Sequence, residues 1–388
     1  MRVAVIGLGV LGASTARSLA LEGAEVTVFE RAAALAGTSG TSFAWTNSHR
    51  KNPLPYHELN VAGMREHDAL AANPGPVPPW LARTGNLEWA EGEAGARRLT
   101  AAVAELRDRD YPVEWLTADR ARDLVPDLRV PAGLDRIAYY PTEGHVLPAL
   151  LVARLWGEAQ ENGARLRCPD TVTGLSEQDG QVHVATDQGI VPFDAVVIAT
   201  GRWTEELTSA TGHRIPMAAP DEAGSASVGF LGCTNPLPTR LNRVLTTPKL
   251  NVRPDGGGRL VVQGLDLDAA ADPADPPRLD GPHADELRDR LTGLLSGAGE
   301  ARMESLRVGQ RAMPADGLTV AGFLGNSRRT YVLATHSGIT LGPLLGRLAA
   351  REVRTGNSTK QLAGFRPDRI GDRAELPDLE APRFAGEQ

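Results

Sequence analysis

The sequence predicts an α/β protein in which a parallel, helix-covered sheet is combined with a second, mixed α+β part, and three observations carry the prediction. From Met1 to Glu30 the chain reads as strand, glycine loop, helix and strand. The apolar run Val3-Ala4-Val5-Ile6 enters Gly7-Leu8-Gly9-Val10-Leu11-Gly12, a helical pattern (Leu11, Thr15, Leu19) leads to Gly23, and Glu25 to Phe29 closes on Glu30. The run Val196-Val197-Ile198-Ala199-Thr200-Gly201 is apolar throughout and ends on glycine, as expected of a strand covered on both faces in a parallel sheet. Between and beyond these, short strand-like runs with turn residues alternate with helical patterns.

The first thirty residues also specify a ligand. Gly7 permits a tight turn, Gly9 lets a pyrophosphate approach the backbone, and Gly12 lets the helix pack close to its strand. The amides of Val10 and Leu11 then open the helix, whose positive end favours phosphate. Glu30 stands eighteen residues after Gly12, where a carboxylate accepts the ribose hydroxyls and repels a 2′-phosphate. An adenine dinucleotide site is expected, with NADP disfavoured. The bland alternative is that the glycines only pack a helix on a sheet.

The remaining elements come in chain order. After Arg31 the loop Gly37–Lys51 is dense in small and hydroxyl residues, including Thr38, Ser39, Thr41 and Ser42, and suits a wrap around a polar ligand. Residues 55–72 read as an amphipathic helix (Leu59, Met64, Leu70), and 96–109 as another, with the Pro-rich stretch 73–79 between them. A strand is expected at 113–116, a short helix ending at Val125-Pro126, a turn at 141–144 and a helix over 146–162. Five strands then fall at 165–168, 171–175, 182–186, 190–191 and 195–200, with turns at Asp179-Gly180 and Asp187-Gln188-Gly189. Residues 246–264 form a strand pair closed by 254–258, and the Pro/Asp/Ala-rich stretch 266–277 reads as an exposed insertion. A helix over 283–295, a strand at 331–334, the loop 335–338, a helix over 341–354 and a polar tail after Phe365 complete the chain. No internal repeat is visible.

Composition narrows the class. The 388 residues are enough for two domains, and 41% hydrophobic with 23% charged residues is ordinary for a globular chain. A net charge of −7 argues against a nucleic-acid surface, and no apolar run is long enough for a membrane span. Cys168 and Cys233 supply no metal spacing or disulfide framework, no metal site is expected, and the cytoplasm is the default location.

Three further stretches choose between NAD and FAD. Val196 to Trp203, Val308-Gly309-Gln310-Arg311-Ala312-Met313-Pro314-Ala315-Asp316-Gly317, and Ala334-Thr335-His336-Ser337-Gly338-Ile339-Thr340-Leu341-Gly342-Pro343 together resemble the D-amino acid oxidase type of FAD-dependent oxidoreductase, to which glycine oxidase and monomeric sarcosine oxidase belong. The resemblance implies a discontinuous Rossmann-like FAD-binding domain (1–50, 141–218 and 305–388) interleaved with a mixed-sheet substrate-binding domain (51–140 and 219–304). It places Gly7, Gly9, Gly12, Glu30, Arg31, Thr38, Ser39, Thr41 and Ser42 around the ADP half of FAD. By the same resemblance Val172 lies at the adenine, Gly201 near the pyrophosphate with Thr200 and Trp203 also cofactor-binding, and Gly338, Ile339, Thr340 and Leu341 at the flavin edge. Relatives that attach flavin covalently use a His or a Cys where this chain has Ala44 and the Gly309–Arg311 region, so non-covalent FAD is expected. The loop after His336 is two residues shorter than usual in the family, and a basic residue that some relatives carry there has no counterpart.

The implied activity is oxidation of a C–N bond of an amino acid or amine by hydride transfer to flavin N5, with molecular oxygen or another acceptor taking the electrons onward. Such chemistry asks for positioning more than for an acid or base. Arg311 matches a position that pairs a substrate carboxylate in several relatives, and a guanidinium fork suits that role; the competing reading is a salt bridge within the sheet. Asn47, His49, Arg50 and Lys51 are expected near one flavin face, with His49 the titratable candidate or else a hydrogen-bonded structural residue. His336 reads as a base or as a residue ordering its loop. Trp45 walls the substrate or packs the core, and Lys249 promotes oxygen reactivity or is simply solvated. Two rival functions stand beside this one: a flavin-dependent tailoring oxidase or desaturase of a non-amine metabolite, and an NAD-dependent dehydrogenase.

Overall fold

The computed structural model describes residues 1–73, 75–134, 136–370 and 379. Its first sheet has six strands in the order Val320–Leu324, Thr330–Ala334, Ala195–Ile198, Arg2–Ile6, Glu25–Phe29, Arg165–Arg167. All neighbours are parallel except the edge strand Val320–Leu324, which runs antiparallel to Thr330–Ala334. The unbroken apolar runs have a direct explanation here. Val3 and Val5 point into a core shared with helices Val10–Leu21, Pro148–Glu161 and Gly338–Thr355, whereas Ala4 and Ile6 point into a core on the opposite face. Successive side chains of a strand face opposite ways, so a strand covered twice has no polar position. The second core is roofed by the three-stranded meander Val172–Gln178, Gln181–Thr186, Gly189–Phe193, whose turns fall at the expected Asp179-Gly180 and Asp187–Gly189.

The second sheet has eight strands, ordered Met303–Gln310, Val228–Thr234, Leu260–Gln263, Asn251–Pro254, Val244–Thr246, Asn86–Glu88, Ile137–Tyr140, Glu114–Leu116. It is antiparallel except where Val244–Thr246 runs parallel to Asn86–Glu88. Helix Pro282–Leu294 packs Leu287 and Leu291 against it, and helix Gly92–Asp108 packs Leu99, Val103 and Leu106 near its far end. A small sheet of Trp45–Thr46, Gly144–Val146 and Leu81–Ala82 sits beside both.

Several elements differ from expectation. Strand Met303–Gln310 pairs with Val228–Thr234 in the second sheet, across the boundary drawn at 305. Val228–Thr234 and Val320–Leu324 were invisible to patterning, because VGFLGCT and VAGFL carry glycines and no alternation. The stretch 266–277 begins with the 3₁₀ turn Leu265–Ala270 and is not wholly exposed: Asp268 is buried, accepts the Phe230 amide at 2.8 Å and pairs with Arg311. The last helix begins at Gly338, three residues before the periodic pattern starts, because the Leu341 amide already bonds the Ser337 carbonyl. Within the tail after Phe365, Pro367–Arg369 forms a 3₁₀ turn, and residues 371–378 and 380–388 lie outside the described residues.

Candidate active site

Gly7 sits at φ +100°, and a Cβ there would come within 2.7 Å of the Ala199 carbonyl on the neighbouring strand. Gly12 faces the Gly7 carbonyl so closely that a methyl group would overlap it, which fixes helix Val10–Leu21 against its own strand. At Gly9 the only near neighbour of an added Cβ is the Ser39 side chain, whose hydroxyl accepts the Val10 amide at 3.1 Å. Glu30 is held by two backbone donors, Leu8 to Oε2 and Ala32 to Oε1, both at 2.9 Å. The carboxylate is thereby fixed at the end of its strand, and each oxygen keeps a lone pair for a hydroxyl donor.

These groups border a cavity of about 470 Å³. Gly7, Gly9, Val10, Leu11, Glu30 and Arg31 line one wall, Thr38, Ser39 and Ser42 a second, and Val172, Thr200, Gly201 and Trp203 a third. Arg31 and Arg202 both lie over the Trp203 indole, 3.6 and 3.7 Å from a ring centroid. Gly338 and Ile339 close the inner end, so helices Val10–Leu21 and Gly338–Thr355 both direct their N-termini into the cavity. Two positive helix ends, a glycine cradle and a fixed ribose acceptor fit an adenine dinucleotide with its phosphates on the first helix.

Not every residue expected at the cofactor reaches this cavity. Thr41 and Thr340 border a second cavity instead, and Leu341 is fully buried in the core between the helices. Gly12 acts through packing alone.

The second cavity, about 160 Å³, joins the first at Thr38, Ser42, His336 and Ile339. Trp45, Asn47, Lys51, Phe230, Gln263 and Arg311 face it. Lys51 is 3% exposed; burial pulls its ammonium down to about 7, against the pull of Glu143. Burial also holds the His336 imidazole well below its ordinary value, and the Lys51 and Arg311 charges push the same way, so this ring is neutral. Arg311 is committed to the protein: Nη1 donates to the Ala226 and Val228 carbonyls, both at 2.8 Å, and Nη2 to Asp268 at 3.0 Å. This is the salt-bridge geometry of the competing reading, in which three of the five guanidinium N–H groups serve the protein.

His49 and Arg50 turn away from both cavities. The chain reverses at Arg50, at φ +58°, and the two side chains enter a buried acidic cluster. His49 Nδ1 lies 2.7 Å from Glu143, its ring stacks on Tyr140 at 4.3 Å, and Arg50 pairs with Glu88. Lys249 lies on an exposed rim well apart, beside Arg50 and Glu88. The residue that patterning undervalued is Lys51, for which the sequence did carry a signal: only three lysines, at 51, 249 and 360, stand among 41 basic residues. Phe230 and Gln263 had no signal, since sheet pairing alone brings them to the cavity.

The model of the FAD-dependent oxidoreductase family matches residues 2–352. The chain belongs to that family. This FAD-dependent oxidoreductase is similar to 4-methylaminobutanoate oxidase (formaldehyde-forming) of Paenarthrobacter nicotinovorans, 26% identical over 369 residues, covering 92% of this chain but 44% of that protein. It is also similar to the glycine oxidase of Geobacillus kaustophilus, 27% identical over 373 residues, with 94% and 95% of the two chains covered. The crystal structure of glycine oxidase from that organism superposes with a TM-score of 0.82 at 26% identity, over 95% of this chain and all of the other. An NAD-dependent dehydrogenase is thereby set aside. No helix among the described residues is long and apolar enough to cross a membrane, and they hold no cluster of ligands for a metal ion.

Proposed function

We propose that this oxidoreductase oxidises a C–N bond of an amino acid or of a primary or secondary amine held in the second cavity. The observation that carries the reading is the junction of the two cavities at His336 and Ile339, beside the N-terminus of helix Gly338–Thr355. A reactant there lies against the inner end of the dinucleotide site. The chemistry supplied by bound FAD is acceptance of a hydride from the carbon that bears the nitrogen.

The chain's own groups do the rest. The neutral Lys51 amine takes the proton of an incoming ammonium, because only the neutral substrate amine has the lone pair that assists hydride loss. Trp45 and Phe230 wall the cavity and exclude water, and Asn47 offers an amide to the substrate. Neutral His336 acts as a hydrogen-bonding group of the loop and not as a cation. Arg311 takes a substrate carboxylate on the N–H groups its protein bonds leave over or in exchange for Asp268; a substrate without a carboxylate leaves the Arg311–Asp268 pair intact. Glycine oxidase and methylaminobutanoate oxidase among the relatives support a substrate of this class.

Ala44 and the stretch 309–311 offer no His or Cys, in support of non-covalent FAD. The reading includes molecular oxygen or another small acceptor and no nucleic acid. A cytoplasmic location agrees with two free cysteines, Cys168 and Cys233. The two sheets support a cofactor domain interleaved with a substrate domain.

The test is anaerobic bleaching of the flavin absorbance of the yellow holoenzyme by a panel of amino acids, N-methyl amino acids and amines. Bleaching by at least one, with release of FAD into the supernatant on acid precipitation, is expected. A panel that leaves the flavin oxidised, while a substrate without nitrogen bleaches it, overturns the amine reading in favour of a non-amine tailoring reaction.

A further inference from the structure

Lys51 faces the substrate cavity but is buried, and an amine that accepts a proton at each turnover must also lose it. Behind Lys51 lies the acidic cluster that took His49 and Arg50 out of the site. Glu143, fully buried, is within electrostatic reach of Lys51 and accepts bonds from Trp45 Nε1 at 3.0 Å and the Tyr111 hydroxyl at 2.7 Å. Its Oε1 also meets His49 Nδ1 at 2.7 Å. On the other side of the imidazole, Nε2 has no hydrogen-bond partner and points at Glu88 Oε2, 3.7 Å away. Glu88 accepts the Tyr140 hydroxyl at 2.6 Å, pairs with Arg50, and borders a third cavity of about 150 Å³. Exposed Glu91, Arg98, Pro248 and Lys249 form the rim of that cavity, so it meets solvent.

We propose that Glu143, His49 and Glu88 form a proton path that connects Lys51 in the substrate cavity to solvent at the third cavity.

Geometry selects the imidazole as the centre of the path. His49 alone in the cluster has two nitrogens, one on each carboxylate, and an imidazole passes a proton by receiving it at one nitrogen while releasing it from the other. The two phenols do not compete: burial, and Glu143 for Tyr111 or Glu88 for Tyr140, push both well above their ordinary value, so they serve as fixed donors. Burial works against the charged form of Glu88, yet Arg50, His49 and the Tyr140 hydroxyl hold its carboxyl below the ordinary value, so it stays ionised until a proton arrives and then releases that proton readily to water. The gap of 3.7 Å at Nε2 exceeds a hydrogen bond and closes with a small ring rotation. Other charges face the path without interrupting it. His57 packs its ring against Tyr111, His145 is held to about 3 by burial and Arg253, and His336 and Arg311 lie on the cavity side of Lys51.

The steps conserve every atom. The substrate ammonium gives H⁺ to Lys51 Nζ; Nζ gives one to a Glu143 oxygen; Glu143 gives one to the unprotonated Nδ1 as Nε2–H gives one to Glu88; Glu88 gives one to water in the third cavity. A flip of the imidazole, which the relay leaves protonated at Nδ1, restores an N–H toward Glu88 for the next passage. Only N–H and O–H bonds form or break. The substrate end of the path rests on the proposed function, but the path itself is testable without any substrate.

The experiment is a rapid pH jump across 7 on the holoenzyme, followed by flavin absorbance, which responds to a change of charge in the adjoining cavity that Lys51 lines. The parent protein and His49→Gln, Glu143→Gln and Lys51→Met are compared. Expected is a relaxation that Lys51→Met abolishes and that His49→Gln slows at least tenfold with its end point kept. Glu143→Gln slows it and also moves its midpoint to lower pH, since the carboxylate that favours the Lys51 charge is gone. A structural role for His49 lowers thermal stability and leaves the relaxation rate untouched. Unchanged rates in both glutamine variants, or a parent protein with no Lys51-dependent relaxation, overturn the path. Because no amine is added, a failed substrate panel does not affect this result.

Discussion

Three of the 41 basic side chains are lysines, and one of them is buried at the second cavity. Arginine keeps its charge under any environment a protein offers, whereas lysine gives it up when desolvated. The folded pKa of about 7 lies below the ordinary 10.5, so between these values the unfolded chain binds a proton that the native chain does not. Stability therefore rises with pH across that window, by up to ~1.4 kcal/mol per pH unit from this group, and below about 7 the full cost of the buried charge is present. Lys51→Met should accordingly stabilise the protein more at pH 6 than at pH 10, as read by urea unfolding at both values. In the same variant, the rise of kcat/KM with pH through about 7 should disappear from the pH profile. Glu30 makes a simpler case. With its oxygens already ordered by the Leu8 and Ala32 amides, Glu30→Ala should weaken FAD by ~1.5–3 kcal/mol, the worth of hydrogen bonds to a charged group. Fluorescence titration of the apoprotein with FAD reads this directly, and an unchanged Kd would take Glu30 off the ribose.

At the scale of elements, helices Val10–Leu21 and Gly338–Thr355 decide the site by how closely they approach. A Cβ on Gly346 would stand 2.5 Å from backbone and side-chain atoms of Ser14, and one on Gly342 would stand 2.7 Å from Val10. Alanine normally stabilises a helix interior by ~1 kcal/mol relative to glycine. Here overpacking of ~1–3 kcal/mol opposes it, so Gly346→Ala should lower Tm rather than raise it. The same substitution should loosen FAD, because separating the helices shifts the N-terminus at Gly338 away from the first loop. A raised Tm with unchanged FAD affinity would show that the interface has slack.

For the whole molecule, the first cavity is lined from widely separated parts of the chain, among them the first loop, the stretch from Glu30 to Ser42, Asp170–Thr173, the strand end at Ala199–Trp203 and the start of the last helix. A ligand that binds only the native arrangement adds RT ln(1 + [L]/Kd), ~2.7 kcal/mol at a hundredfold excess over Kd. Apoprotein should melt at lower temperature than holoenzyme, with Tm rising as FAD is added and unaffected by NAD. Calorimetry across an FAD series checks the expectation.

Local order alone carried the dinucleotide loop, because its requirements are local: a turn only glycine makes at Gly7, an approach only glycine permits at Gly12, and an acid one strand later at Glu30. The doubly buried strands were legible for a similar reason, since burial on both faces leaves no polar position at Val3–Ile6 or Val196–Ile198. Where side chains point was a different matter. The loop at 47–51 offers Asn, Ser, His, Arg and Lys in a row, and nothing in that order tells which of them reach the cavity. The reversal at Arg50 sends His49 to Glu143 and Arg50 to Glu88 while Lys51 returns to the second cavity. Arg311 likewise meets Asp268 across 43 residues, through a pairing of strands that no period reveals. Charges and hydrogen bonds act over a few ångströms of space, and only the tertiary structure brings residues so distant in sequence within that range.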